Sequence, residues 1–404
     1  MRSSPILIAL ALAAATPVSS PAQQTAPRRP QLPAQADTND ASAYYRFGLD
    51  RLSAEPRQAA DAFWWASRLD PHWADPLYAR RAALLMADRR LLLGYYAGVE
   101  SVWRDPGVQR ADSLAAHALE MDPFLSRNLE DELARAYLAA AIDRDTRGGS
   151  TSDRLTDVEL RVVTDEILSH QTPGTRAWLA AADGQLETAL QFYETAIRQA
   201  RYKSDLYADK ARVLVQLGRF PEALAALSSA VAERTREDNR RLVVLYNSKA
   251  HFQQTAGAIH ARIGHADSAR AAYGAALQED LSFAYAHAHL AALSVAAGDQ
   301  AGAFGELELA VQIRPSDPGL RVDAATVLAA AGQIEKAVEH LKQAVELDPW
   351  YADPYLMLGR LHDASGMRDD AVKYYQGFLA HAALRHPQYA WAQQRIAELR
   401  AAAQ

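Results

Sequence analysis

Gly332-Gln333-Ile334-Glu335-Lys336-Ala337-Val338-Glu339-His340-Leu341-Lys342-Gln343-Ala344-Val345-Glu346-Leu347-Asp348-Pro349 is the stretch that decides the fold. It opens on a glycine, runs through helix-favouring residues and stops at a proline. Inside it the order is small, large, small: Ala337, then Leu341, then Ala344. The frame repeats on both sides. Gly264, Gly298, Gly332 and Gly366 follow one another at steps of 34 residues, and Gly184 and Gly218 are also 34 apart. The step from Gly218 to Gly264 is 46, one period plus twelve. Five residues after each glycine stands Ala189, Ala223, Ala269, Ala303, Ala337 or Ala371. Four further on comes Tyr193, Leu227, Tyr273, Leu307, Leu341 or Tyr375. Three more gives Ala196, Ala230, Ala276, Ala310 or Ala344, with Phe378 in the last copy, and Pro315 and Pro349 close two of the repeats.

The spacing has a physical reading. Each copy is two antiparallel helices joined by a tight turn, and the glycine occupies the turn position where positive φ is cheap only for Gly. The small residues mark the closest crossing of the two helices, the large one fills the space beside them, and proline is expected to start the next helix. One pair cannot bury its apolar face alone, so neighbours must stack.

A period of 34 with this order of glycine, small, large, small and proline resembles the tetratricopeptide repeat. The likeness holds register over 171–382, and the bulky-residue–glycine pair of the family's first helix stands at Leu358-Gly359. It implies an all-α, right-handed superhelical solenoid whose first helices line a concave face where a protein or peptide partner binds. Transferred position by position, that face is Asp205, Asp209, Arg212, Gln254, Tyr285, His289, Val322, Asp323, Thr326, Leu356, Met357 and Arg360. The Lys/Asn clamp that one branch uses for chaperone peptides is not assembled at these positions. Aromatic, apolar and charged residues alternate there instead, which suits an extended or helical segment of a protein.

Upstream the pattern is looser. Ala59, Phe63 and Ala66, ending at Pro71, fit a first repeat; Ala111, Ala115 and Ala118, ending at Pro123, fit the second half of another, with an insertion at 88–110. Asp70-Pro71-His72-Trp73-Ala74-Asp75-Pro76 echoes Asp348-Pro349-Trp350-Tyr351-Ala352-Asp353-Pro354, 278 residues away. A third pair is expected from Leu129 to His170, broken by the polar stretch 147–152. This makes 41–170 a divergent set of repeats ahead of the regular array 171–382, about nine pairs in all. In the terminal segment 383–404, residues 387–401 read as a capping helix with Trp391, Ile396 and Leu399 facing inward.

The first residues look like a targeting sequence. Arg2 precedes ten continuous apolar residues, Ile6 to Ala15, and Ser20 and Ala22 are small enough for a cleavage site. That run is half the roughly 20 residues a bilayer span needs. The expectation is a signal peptide over 1–22, export to the periplasm or another extracytoplasmic space, and no membrane span in the mature chain. Residues 23–40, with three prolines and few hydrophobes, read as a flexible tether.

Composition narrows function further. The 404-residue chain is 49% apolar, with a net charge of −6 and no basic stripe, which disfavours nucleic acid. With no cysteine, disulfides, thiolate metal sites and cysteine nucleophiles are excluded. His287 and His289 point about 200° apart on a helix and cannot share an ion. No nucleophile elbow or phosphate loop is present. The expectation is therefore no enzyme, no metal and no cofactor. A glycan or peptidoglycan ligand is the alternative, since seven Trp and 17 Tyr could stack on sugars, although Trp64, Trp73, Trp178 and Trp391 fall at repeat or cap positions.

Overall fold

The computed structural model describes residues 26–96, 100–125, 136, 172–182, 184–237 and 248–401. Among these residues there are nineteen α-helices and no strand. α1 (Ala41–Arg51) pairs with α2 (Pro56–Leu69), and α3 (Asp75–Met86) with α6 (Pro106–Met121). The insertion expected at 88–110 contributes α4 (Arg89–Tyr96) and α5 (Glu100–Trp103) between them. Six regular pairs follow: α7 (Pro173–Ala182) with α8 (Leu186–Gln199), α9 (Ser204–Gln216) with α10 (Phe220–Glu237), α11 (Lys249–Arg262) with α12 (Ala266–Glu279), α13 (Ala284–Ala296) with α14 (Gln300–Ile313), α15 (Pro318–Ala330) with α16 (Ile334–Leu347), and α17 (Asp353–Ala364) with α18 (Arg368–His381). α19 (Tyr389–Ala401) packs on α18 and ends the stack. The expected leader 1–22 and, apart from residue 136, the expected pair at 129–170, including 147–152, lie outside the described residues. Within the longer Gly218–Gly264 step α10 runs for 18 residues, and 238–247 also lie outside the described residues.

The periodic residues do what their spacing requires. All six ladder glycines have φ between +71° and +79°. At Gly332 the turn closes with two backbone bonds, Gly332 N–H to Ala329 O at 3.1 Å and Gln333 N–H to Leu328 O at 2.9 Å. This left-handed cap satisfies carbonyls that the helix end would leave open. Ala337, Leu341 and Ala344 are fully buried, as are Ala59, Phe63 and Ala66 of the first repeat. The close approach is most acute where the first helix also carries glycine. A β-carbon on Gly359 would lie 2.5 Å from the Tyr375 ring, and one on Gly257 2.7 Å from Tyr273.

Three local expectations are corrected. Residues 26–40 are not a free tether. Leu32 is buried, the Trp65 indole N–H donates to Pro27 O at 3.1 Å, and Arg29 donates to the Tyr44 hydroxyl at 2.8 Å while lying over the Trp65 ring. A prolyl segment needs few hydrophobes when aromatic rings offer it a surface. Pro315 and Pro349 do not start helices; Pro76, Pro318 and Pro354 do. Asp348-Pro349 instead forms a turn between repeats, with Trp350 N–H bonded to the Asp348 carboxylate at 3.2 Å and Tyr351 N–H to its carbonyl at 3.2 Å. In the cap, Ala392, Ile396 and Leu399 face inward, while Trp391 is 38% exposed and meets Tyr375 edge-on.

Candidate partner-binding groove

The regular repeats present their first helices, α9, α11, α13, α15 and α17, as successive walls of one face, and the positions transferred from the repeat pattern fall on them. Their surroundings are of three kinds. Asp205 pairs with Arg234, and Asp209 with Arg212 on the same helix, so these two carboxylates are neutralised within their own repeats. Thr326, Met357 and Arg360 form an open patch at the far end. The Thr326 hydroxyl lies 3.9 Å from the Met357 sulfur, and the Arg360 guanidinium covers the Trp391 ring at 4.9 Å while donating to Gln388 at 2.6 Å.

The third kind is closed. Gln254 is fully buried and donates to the Glu120 carbonyl of α6. Tyr285 is buried; its hydroxyl donates to Asp317 at 2.9 Å, and its ring sits 5.5 Å from His117 of α6. His289 is stacked on Tyr273 at 5.1 Å, and burial holds its pKa below the ordinary value. Asp323 contacts His72 at 3.2 Å. Val322 and Leu356 are buried in the packing between neighbouring helices rather than displayed. The expectation of an open face is therefore corrected for Gln254, Tyr285, Val322 and Leu356. First-helix positions face a groove only if nothing else fills it, and here the amino-terminal repeats do.

The two parts of the chain meet in reverse order. Residues 117–124 lie against α11, α13 and the start of α15, residues 64–72 against α15 and the 347–351 turn, and residues 37–42 against 380–385. Arg68 is central. Its Nη2 donates to Leu347 O at 2.6 Å, and its Nε stands 2.9 Å from the Asp348 carboxylate without the alignment of a hydrogen bond. Beside it Trp350 meets Trp65 at 4.8 Å and Trp64 at 6.0 Å, both edge-on. His72 touches Tyr351 Oη at 3.0 Å. The two turns whose sequences echo each other are thus packed together. That echo was the one sequence signal for this contact. Arg68, His117, Glu120 and Arg314 carried none.

The electrostatics follow from burial. Asp348 is fully buried, and desolvation raises its pKa to about 7 although Arg68 and the Trp350 N–H pull it down. Burial raises Glu120 as well, against the pull of Arg314, which donates to it at 2.8 Å. For Asp317 burial also opposes the charge, yet His117, the Leu320 N–H and the Tyr285 hydroxyl hold its carboxyl below the usual range. Burial works against the His72 cation, but the carboxylates of Asp323, Asp70 and Asp317 outweigh it and lift its pKa to about 9. Among the described residues no group of three or more His, Cys, Asp or Glu is arranged to hold a metal ion.

A tetratricopeptide-repeat family model matches residues 180–241 and 328–396. A TPR repeat-containing thioredoxin, TTL4, from Arabidopsis thaliana is 32% identical over 77 residues, which is 19% of this chain and 11% of that protein. Among solved structures, the carboxyl-terminal part of a TPR repeat-containing protein from Cytophaga hutchinsonii is 17% identical, covering 57% of this chain and 88% of that one at a TM-score of 0.46. YrrB, described as a TPR protein with an unusual peptide-binding site, is 19% identical over 50% of this chain and 96% of its own, at a TM-score of 0.39. The 34-residue ladder, the positive-φ turns and the buried small–large–small crossings agree with the family match at both of its regions. On these grounds the chain carries tetratricopeptide repeats at both matched regions, which support a protein–protein interaction scaffold.

Proposed function

We propose that the protein is an exported scaffold that binds a protein partner in the cell envelope through the concave side of its regular repeats. The observation that carries this reading is the Thr326–Met357–Arg360 patch, flanked by Trp391. It joins an apolar thioether, a cation and an exposed ring on three alternate helices, α15, α17 and α19. Aromatic and arginine side chains with an adaptable methionine are typical anchors of protein interfaces. Export is supported by Arg2, the Ile6–Ala15 run and the small residues before Ala22. No helix among the described residues is long and apolar enough to cross a membrane. A sugar ligand is less well supported. Trp64 and Trp65 are buried and Trp350 is packed edge-on against both, so much of the indole surface is already used.

Two measurements test the reading. Residues 1–30 fused to a reporter active only outside the cytoplasm should give signal, and retention inside would overturn export. Crosslinking in envelope preparations, followed by mass spectrometry, should recover a defined partner whose crosslinks map to α15, α17 and α19. Recovery of none, or crosslinks confined to the opposite face, would overturn the scaffold assignment.

A further inference from the structure

The contacts between the amino-terminal repeats and the regular array are of a different kind from those inside either part. Within the repeats, apolar clusters run without a break from helix to helix. Across the seam the contacts are mostly ion pairs and hydrogen bonds: Asn39 to Ala380 O, Arg385 to Asp40, Arg68 to Leu347 O and Asp348, His72 to Asp323, and Arg314 to Glu120. Among the described residues the apolar clusters that cross the seam are those of Trp350, which meets both Trp64 and Trp65, and of Met121 and Phe124 at the other end. The seam is also incompletely packed. A cleft of about 410 Å³ opens beside α6, lined by Ser113, Glu120, Lys249, Asp280 and Arg314. A polar, imperfectly filled contact within one chain resembles a transient interface more than a core. Separating it leaves every helix pair its own neighbours, because each repeat is held chiefly by the next.

The chemistry of the two sides is complementary. The array supplies carboxylates (Asp317, Asp323 and Asp348) next to the rings of Tyr285, Trp350 and Tyr351. Opposite them the amino-terminal side places Arg68, His72 and His117, with Trp64 beside Arg68, whereas at Arg385–Asp40 and Arg314–Glu120 the array supplies the cation. If the amino-terminal side withdrew, Asp348 would lose its facing cation and Trp350 both of its edge-on ring contacts.

We propose that residues 37–125 are a built-in occupant of the array's concave face, and that a basic protein segment bearing aromatic residues displaces them by taking the seat of Trp64, Trp65 and Arg68 against Trp350 and Asp348. This rests on the scaffold reading and adds its regulation. The chain binds such a partner through this seat only as far as its own amino-terminal repeats let go, so apparent affinity falls with the open fraction. The Thr326–Met357–Arg360 patch stays accessible throughout and serves as the first foothold.

The absence of cysteine makes the test direct. Spin labels on the full chain at Arg57→Cys and Lys342→Cys, both at exposed positions of α2 and α16, report the separation of the two sides. The probe is a synthetic peptide with the sequence of residues 62–78, and its control carries Glu in place of Arg68. The expected result is a single short distance in the parent chain. Arg68→Glu, or Arg385→Glu at one end of the seam, should add a longer distance and bind the probe at least tenfold more tightly than the parent does. The control peptide should bind neither. Circular dichroism identical to the parent would establish that each variant is folded. If both folded variants keep the single short distance and gain no affinity for the probe, the seam is permanent packing and the proposal fails. That outcome leaves the scaffold reading standing on the open patch, which the envelope crosslinks judge separately.

Discussion

Asp348→Asn tests the electrostatics of the seam most sharply. The carboxylate is fully buried, its Oδ1 accepts the Trp350 N–H at 3.2 Å, and its Oδ2 faces the Arg68 Nε at 2.9 Å without forming a hydrogen bond. Because the nearby cation is poorly aligned, it does not offset the desolvation, and the pKa rises from 3.8 to about 7. A carboxyl whose folded pKa lies above its unfolded one contributes most below the unfolded value, and that contribution is lost as pH climbs through the folded value. The window is therefore about pH 4 to 7. A displacement of roughly three pKa units corresponds to a ceiling of about 4 kcal/mol, or several degrees of melting temperature. Asparagine keeps the acceptor for Trp350 and carries no charge at any pH. Thermal melts at half-unit steps from pH 4 to 8 should show the parent falling through this window relative to the variant. The two curves should converge at the acid end, separate between pH 4 and 7, and keep a constant gap above pH 7. Parallel curves across the whole range would refute the assignment, since the buried carboxylate would then not be the group that titrates.

The remaining expectations concern packing and binding. Gly359→Ala places a methyl about 1 Å inside normal contact with the buried Tyr375 ring. An overpacking cost of about 1–3 kcal/mol outweighs a helix-propensity gain of about 1, and the melt should shift down. Gly305→Ala, on an open face of α14 with nothing within 4 Å, should raise stability by about 0.5–1 kcal/mol, and opposite signs in the two melts are the check. Removing residues 387–404 bares Tyr375 and Phe378 of α18, so light scattering should detect association; a monomer with the parent melting point would count against a capping role. Met357→Glu puts a charge into the open patch and should weaken partner capture at least tenfold with an unchanged melt, as read by quantitative crosslinking.

The amino-terminal segment shows where composition misleads. Residues 26–40 carry too few hydrophobes to fold alone, and a tether was the reasonable expectation. Tyr44 and Trp65 provide the surface on which Pro27, Arg29 and Leu32 settle, and that surface exists only once α1 and α2 have paired. The cap shows a smaller error of the same origin. Trp391 is large and apolar, but Ala392 fits the closer approach to α18, leaving the indole at the rim beneath Arg360.

The helix pairs, their phase and their tight crossings were determined by the sequence alone, because a repeat is a local object. Its glycine, small residues and large residue lie within one period, and they act on neighbours a few residues away in the chain. Occupancy of the concave face was decided by tertiary structure. Whether Arg68 reaches Asp348, or Glu120 reaches Gln254, depends on where a whole succession of repeats carries the chain before its two parts meet. Each repeat adds a small rotation set by its packing, and only their sum brings the seam together. The echo of residues 70–76 in 348–354 stands in the sequence, but nothing in either segment says that the two would touch.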